Sequence, residues 1–453
     1  MKDGVVWLDV FLIRRKKYSV KERVWCRSLF CGALFFVYLT GVLYAQDTLP
    51  GKRIPFSGFT ELVGRDYIDS VVVRVLKENS PSAFDIPDVP RFAIVGNDNR
   101  FYLGIGGAVK GTVSYDFRNP LCNPMYFVVG DIPTDNPPAN DGKYNMTVGG
   151  SNVFFNFVGM PGSKYQVGAY VNFNFENDDY MFDLQYAYLT IDGFLFGYTF
   201  TLFSDQGVVP PSIDMEGPPV LPSVQSTVLN YTHEVGGWSL GVGAEMPRAE
   251  MTVGEGLSVL DQKIPAVPAF VQYEWNEKRS SVRVAGLWHN MQYMDSLSGK
   301  SEDEMGWGVQ LTGKWNFSRF TAYYLGLYGE GVSSFTQDLC GRGMDLLPAP
   351  DGDGKMQMVK MWGGMLGFRF NLTDKWFASA TYSHLRCYAD RYEDGCFPYG
   401  DQIRYEQYAA GSLFCGLTEN TMIGFEYIWG RKVTMARECA VDNRVQAMWM
   451  FEF

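Results

Sequence analysis

From residue 100 to its last residue this chain repeats one pattern: an alternating apolar–polar run, a tight polar turn, a second run, then a longer loop. The runs are 100–117, 151–160, 164–176, 180–192, 194–204, 226–236, 238–248, 267–276, 281–292, 305–316, 319–330, 357–371, 376–388, 402–414, 421–431 and 443–453, sixteen in all. Alternation at period two marks a strand with one apolar and one polar face. Phe194, Phe196, Tyr198, Phe200 and Leu202 share a parity, as do Tyr165, Val167, Ala169, Val171 and Phe173. The last run reads AMWMFEF, with Val445, Ala447, Trp449, Phe451 and Phe453 on one parity and Arg444, Gln446 and Glu452 on the other. An unpaired apolar edge there would invite aggregation. The last strand is therefore expected to pair with the first and close the sheet.

The connections sharpen that expectation. Short turns at Pro161–Ser163, Gly193, Gly237, Glu277–Ser280, Phe317–Ser318, Thr373–Lys375 and Leu417–Asn420 alternate with mostly longer loops at 118–150, 205–225, 249–266, 293–304, 331–356, 389–401 and 432–442, only Asn177–Asp179 among them being short. An even strand number with short turns on one rim is the plan of a barrel in the outer membrane of a Gram-negative bacterium. The nine Trp beyond residue 45 all fall in or at the ends of runs, where interface girdles require them. No stretch beyond residue 45 reaches the ~18 apolar residues of a spanning helix. A soluble sandwich would have to bury these apolar faces. The expected fold is all-β: a 16-stranded antiparallel transmembrane β-barrel with a constriction loop, after a cleaved signal peptide.

Residues 1–45 read as that signal peptide, with a basic stretch from Arg14 to Arg27 before the uncharged SLFCGALFFVYLTGVLYA. They hold eight of the 39 basic and three of the 50 acidic residues, so the remainder carries a net charge of −16. That disfavours nucleic acid or anionic lipid headgroups as partners; the barrel plan makes outer-membrane lipid and small hydrophilic solutes the expected ones. Residues 46–99, with SVVVRVLKENS (70–80) and DIPDVP (85–90), read as a periplasmic extension and linker before a barrel over 100–453.

Little here suggests catalysis, and no cofactor is called for. The three histidines are His233, His289 and His384. Ser383 and His384 are strand neighbours on opposite faces and cannot form a dyad. An outer-membrane lipase or protease, or a surface-anchored adhesion barrel, is the competing reading. Metal-ligand spacing is absent. Cys387 could pair with Cys396 within one loop, or Cys122 with Cys439 across the closing seam. Taking the less apolar parity inward lines the pore with Lys110, Asp116, Arg283, Lys314, Arg369, Arg404, Glu406, Glu426 and Arg444. On the lipid face Lys or Arg would cost roughly 2–4 kcal/mol each at mid-depth. Sixteen strands also make a barrel too wide for side chains to fill. A water-filled lumen is expected, with the six bases forming a strip opposite the third long loop.

That loop, FSDQGVVPPSIDMEGPP (203–219), is stiffened by tandem prolines and charged by Asp205, Asp214 and Glu216. Together with IGGAVKGTVSYDF (105–117) and LNYTHEVGGWSLGVGAEMP (229–247), it resembles the DcaP-like family of trimeric outer-membrane porins. The family's loop pattern falls on Asp205, Pro210, Ser212, Ile213, Asp214, Gly217 and Pro218, while Pro211 stands where an acidic residue is expected. The resemblance implies a homotrimer that takes up small anionic solutes such as dicarboxylates by passive diffusion; the long N-terminal coiled coil of some members is not expected, because residues 46–99 are too few and lack heptads. The terminal Phe453 resembles the signal that outer-membrane assembly machinery recognises.

Overall fold

Each alternating run forms one strand, and each strand pairs antiparallel with the next. In the computed structural model they are β1 (Phe101–Asp116), β2 (Asn152–Gly159), β3 (Val167–Glu176), β4 (Met181–Ile191), β5 (Phe194–Phe200), β6 (Gln225–Val235), β7 (Trp238–Glu245) and β8 (Val267–Trp275). The second half holds β9 (Ser280–Asp295), β10 (Lys300–Phe317), β11 (Phe320–Glu330), β12 (Lys360–Asn371), β13 (Trp376–Tyr388), β14 (Ile403–Gly416), β15 (Thr421–Thr434) and β16 (Cys439–Glu452). The described residues are 54–56, 60–64, 70–81, 90, 92–96, 100–135, 141–176, 180–254, 256–296, 298–350, 355–390 and 400–453. The signal peptide expected over 1–45, all of DIPDVP but Pro90, and Cys396 lie outside them. Residues from Ile54 onward make one unit, apart from Met1–Arg53.

β16 closes the sheet on β1, with Arg444 opposite Asp116 and Glu452 opposite Ala108. Phe453 finishes the seam: its N–H donates to Gly107 O at 2.9 Å, and Gly107 N–H donates to Phe453 O at 3.0 Å. A short strand, Phe92–Gly96, then takes over the same edge of β1 by pairing with Tyr102–Ile105. On the other edge Lys143–Thr147 pairs with Thr112–Asp116 beyond β2. The seam offers a second chain no free ladder.

The outward face suits hydrocarbon. Leu229, Val242, Leu311, Leu366 and Phe425 all point outward and exposed, a continuous apolar surface that water would not tolerate. Along the short-turn rim aromatic rings run from strand to strand. Trp238 packs on Tyr273 at 4.8 Å between centroids, Trp275 on Trp315 at 6.1 Å, and Phe320 on Phe370 at 4.9 Å. Near the other rim Trp307 packs on Tyr328, and Trp362 Nε1–H donates to Tyr388 at 3.0 Å. Two aromatic belts bracket the span, as a membrane barrel requires.

Two connections expected as long loops are hairpins instead. β9 and β10 stay paired out to Asp295 and Lys300, and β15 and β16 out to Val433 and Cys439. Lys300, Ser301, Glu302 and Asp303 are exposed. In water the ladder needs no apolar face to continue.

Three other loops fold inward. Phe203, Val209, Val220 and Leu221 of the 201–224 loop share a buried core with Val332, Phe335, Leu339 and Leu347 of the 331–359 loop. The inner wall supplies Leu287, Leu325, Met365 and Leu385 to the same core. Leu121, Phe127, Val129 and Ile132 of the first loop pack on Tyr408 and Ile428. Each such side chain favours infolding by about 1.5–3 kcal/mol. Loops thus occupy much of the lumen along β9–β16 that was expected to hold water. At the short-turn rim sits α1 (Ser70–Asn79), the one α-helix among the described residues.

Candidate functional site

The 201–224 loop crosses the lumen on a series of polar anchors. Arg283, stacked on the Phe270 ring at 3.8 Å, donates to Leu202 O near the loop's start. Gln310 donates to Phe203 O, and Thr312 Oγ1 donates to Asp205 at 2.5 Å. Pro210 then lies over β12, where a Cβ on Gly367 would collide with its ring. On β15, Glu426 accepts from Ser212 Oγ at 2.8 Å and from the N–H groups of Ile213 and Asp214, both at 3.0 Å. Ser412 and Gln446 donate to the same carboxylate. Lys110 Nζ, from β1, donates to Ile213 O at 2.8 Å.

The loop's own acids are also engaged. Asp214 accepts from the N–H groups of Phe127, Glu216 and Gly217 and from the Tyr408 hydroxyl, which ties the first loop to the third. Burial pushes its carboxyl up to about 6, and Glu426 adds to the shift. Burial also raises Glu216, with Asp338 and Asp214 pushing the same way. Asp338, on the 331–359 loop, is pushed up to about 7 by burial against the pull of Arg342. Arg342 in turn holds Asp131 at 2.7 Å. The three infolded loops are therefore joined through buried carboxylates.

The nine wall residues divide by use. Asp116 and Arg444 form a fully buried pair at 2.5 Å, and Arg444 also donates to the carbonyls of Asn123, Pro124 and Tyr126. Lys110, Arg283 and Glu426 hold the third loop. Glu406 is fully buried near Asp338, Arg342 and Lys432, and none of the described residues hydrogen-bonds to either carboxylate oxygen. Arg404 stands at the register shift between Ile403 and Tyr405. Arg369 stacks on Phe377 at 4.2 Å. The six bases do not make a strip opposite the loop: Lys110 and Arg283 bind its backbone, and Arg444 binds the first loop. Backbone carbonyls leave no mark in a sequence, which is why these roles were not legible there.

A chamber of about 580 Å³ lies between α1 and the start of the third loop. Tyr186, Tyr188, Asn230, Gln272 and Ser281 line it, with Arg283 and Lys314 as its bases and Glu78, Asp205 and Glu274 as its acids. Among the described residues nothing accepts from the buried Arg283 Nε–H. The histidines lie elsewhere. His289 faces the carbonyls of Arg248 and Gly331, and His384 packs beside Trp362 and Tyr405 while Ser383 is buried on the other face. Cys122, Cys439 and Cys387 are all free thiols, so the Cys122–Cys439 bridge does not form; the other expected partner, Cys396, is not described.

Closed sheet, lipid-facing belt and infolded loops define a transmembrane β-barrel protein. The fold is similar to the outer membrane channel DcaP of Acinetobacter baumannii, at 20% identity and a TM-score of 0.67, covering 78% of this chain and 97% of that one. It is also similar to OmpT, an outer membrane protein of Vibrio cholerae, at 10% identity and a TM-score of 0.51, covering 78% and 98%. No protein-family model and no curated protein matches the chain by sequence.

Proposed function

We propose that this chain is an outer-membrane porin: a passive channel through which small hydrophilic solutes diffuse down their gradient. The observation that carries the reading is a polar chamber inside a membrane-spanning barrel, beside loops that fold into the lumen along β9–β16. A barrel built only to anchor or adhere has no use for a wall of amides, hydroxyls and charges around an open space. DcaP, the similar fold, is itself described as a channel. Enzymatic readings find little support, since Ser383 and His384 point to opposite faces and His289 is held by the carbonyls of Arg248 and Gly331. Purified protein in planar bilayers should give stepwise conductance. Silence at every voltage would reject the proposal.

Small anions, dicarboxylates among them, are the favoured solutes. Arg283 and Lys314 share the chamber. Reversal potentials in a KCl gradient test this: preference for Cl⁻ should fall when Lys314 becomes Glu. A K⁺ preference unchanged by that substitution would leave Glu78, Asp205 and Glu274 as the filter. The outward Val109 and Gly111 of β1 suit packing between barrels, so a homotrimer is the proposed assembly. Native mass spectrometry showing only monomer would count against it. Phe453, paired with Gly107 in the seam, is the residue proposed to engage the assembly machinery.

A further inference from the structure

We infer that α1 is a second filter on the solute path, a fixed floor of the chamber that sets size and charge selection after the loop. The inference rests on the channel reading. α1 presents Val72, Val75, Leu76 and Asn79 on one face, the spacing of a single helix stripe, and all four are buried. The three apolar members pack with Ala93, Tyr102 and Val158. Val158 belongs to the same inward parity of β2 as Asn156 and Phe154, whereas Phe155 and Phe157 point out to lipid. The helix is therefore seated on the lumen side of the wall.

Its seat is polar and specific. A helix end leaves its last carbonyls without intrahelical partners, and here the wall supplies the donors. Asn156 Nδ2 donates to Leu76 O at 2.7 Å and to Ser80 Oγ at 2.9 Å. The Tyr188 hydroxyl donates to Asn79 O at 2.8 Å. The Asn79 side chain answers in both directions, donating to Asn156 Oδ1 at 2.7 Å and accepting from Thr190 Oγ1 at 2.9 Å. A Cβ on Gly168 would strike the Asn79 amide, so β3 is hollowed where that side chain lies. Three barrel strands are thus shaped around one helix terminus. A ten-residue helix is marginal alone in water, which makes this seat the condition for its order.

Location turns the seat into a filter. Glu78, Asn79, Ser80 and Pro81 line the chamber from the α1 side, and Arg283 and Lys314 line it from β9 and β10. Glu78 is exposed at the end of the helix. On the inferred path a solute held near the two bases leaves past that carboxylate. Removing the helix from its seat should widen the floor, and reversing Glu78 should change which ions cross without moving the seat.

The test uses the full chain in planar bilayers and in liposomes with sugars of increasing size. Leu76→Asp attacks the seat from the helix side and Gly168→Leu from the wall side. Both should raise single-channel conductance and admit larger sugars than the unaltered chain does. Glu78→Lys should shift the reversal potential towards Cl⁻ while keeping the sugar cutoff; because Glu78 is exposed, this variant serves even where an unseating variant fails to assemble. Unaltered conductance and cutoff in the seat variants, or an unmoved reversal potential in Glu78→Lys, would overturn the inference. An unaltered chain that shows no conductance would instead reject the channel reading on which it rests.

Discussion

Glu426→Ala should open the third loop. The carboxylate accepts five hydrogen bonds, three of them from consecutive loop residues Ser212, Ile213 and Asp214. Alanine leaves the Ile213 N–H buried without its acceptor, at about 1–3 kcal/mol, whereas the Asp214 N–H keeps Ser212 Oγ at 3.1 Å. One effect works the other way: losing Glu426 relieves Asp214, whose carboxyl it helps to push up. That relief is the smaller effect, because burial is the main cause of the Asp214 shift. Even a net ~2 kcal/mol multiplies the open fraction roughly 30-fold. The loop's other anchors, Lys110 to Ile213 O and Tyr408 to Asp214, keep it in the lumen. The change should therefore appear as larger, noisier single-channel steps and a higher sugar cutoff, not as a lost barrel. Ser412→Ala, which removes only one donor, serves as the mild control. Steps and cutoff indistinguishable from the unaltered chain would refute the view that Glu426 positions the loop.

Gly367→Val should force the Pro210 ring off β12 and cost about 1–3 kcal/mol by overpacking, read as a lower thermal midpoint. Arg444→Met strands Asp116 in a buried site and should cost about 3–5 kcal/mol, with the added Asp116→Asn change recovering part of it. If the double variant is no more stable than the single one, the pair is not what stabilises that corner. Acid should tighten the infolded loops. Asp214, faced by Glu426 and Arg444, and Asp338, faced by Arg342 and Asp131, hold their protons more tightly when the loops are packed. Their contribution is complete below the ordinary carboxylate range and is lost as pH rises through about 6 and then about 7. Lowering the pH from about 8 to about 5 should quieten the current and raise the thermal midpoint; a noisier channel at the lower pH would contradict this sign.

Strand number, pairing order and the closing of β16 on β1 were determined by the sequence alone, because period-two alternation is a local property that each run declares for itself. Parity also announced which charges face inward. It could not say what they meet there, since that depends on where loops of more than twenty residues travel. Lys110, Glu426 and Arg444 all sit on the expected face, yet they bind the carbonyls, N–H groups and hydroxyl of loops distant in the chain. The 331–359 loop carries Val332, Phe335 and Leu339 without any strand period, so only packing against Leu325 and Leu385 assigns it to the lumen. The stretch 70–80 shows the same division. Its helical stripe at Val72, Val75, Leu76 and Asn79 was present in the sequence, but its partners Asn156, Gly168 and Tyr188 lie roughly 80 to 110 residues away. A periodic pattern fixes what a segment can become; long-range contact alone decided that this one stands inside the barrel.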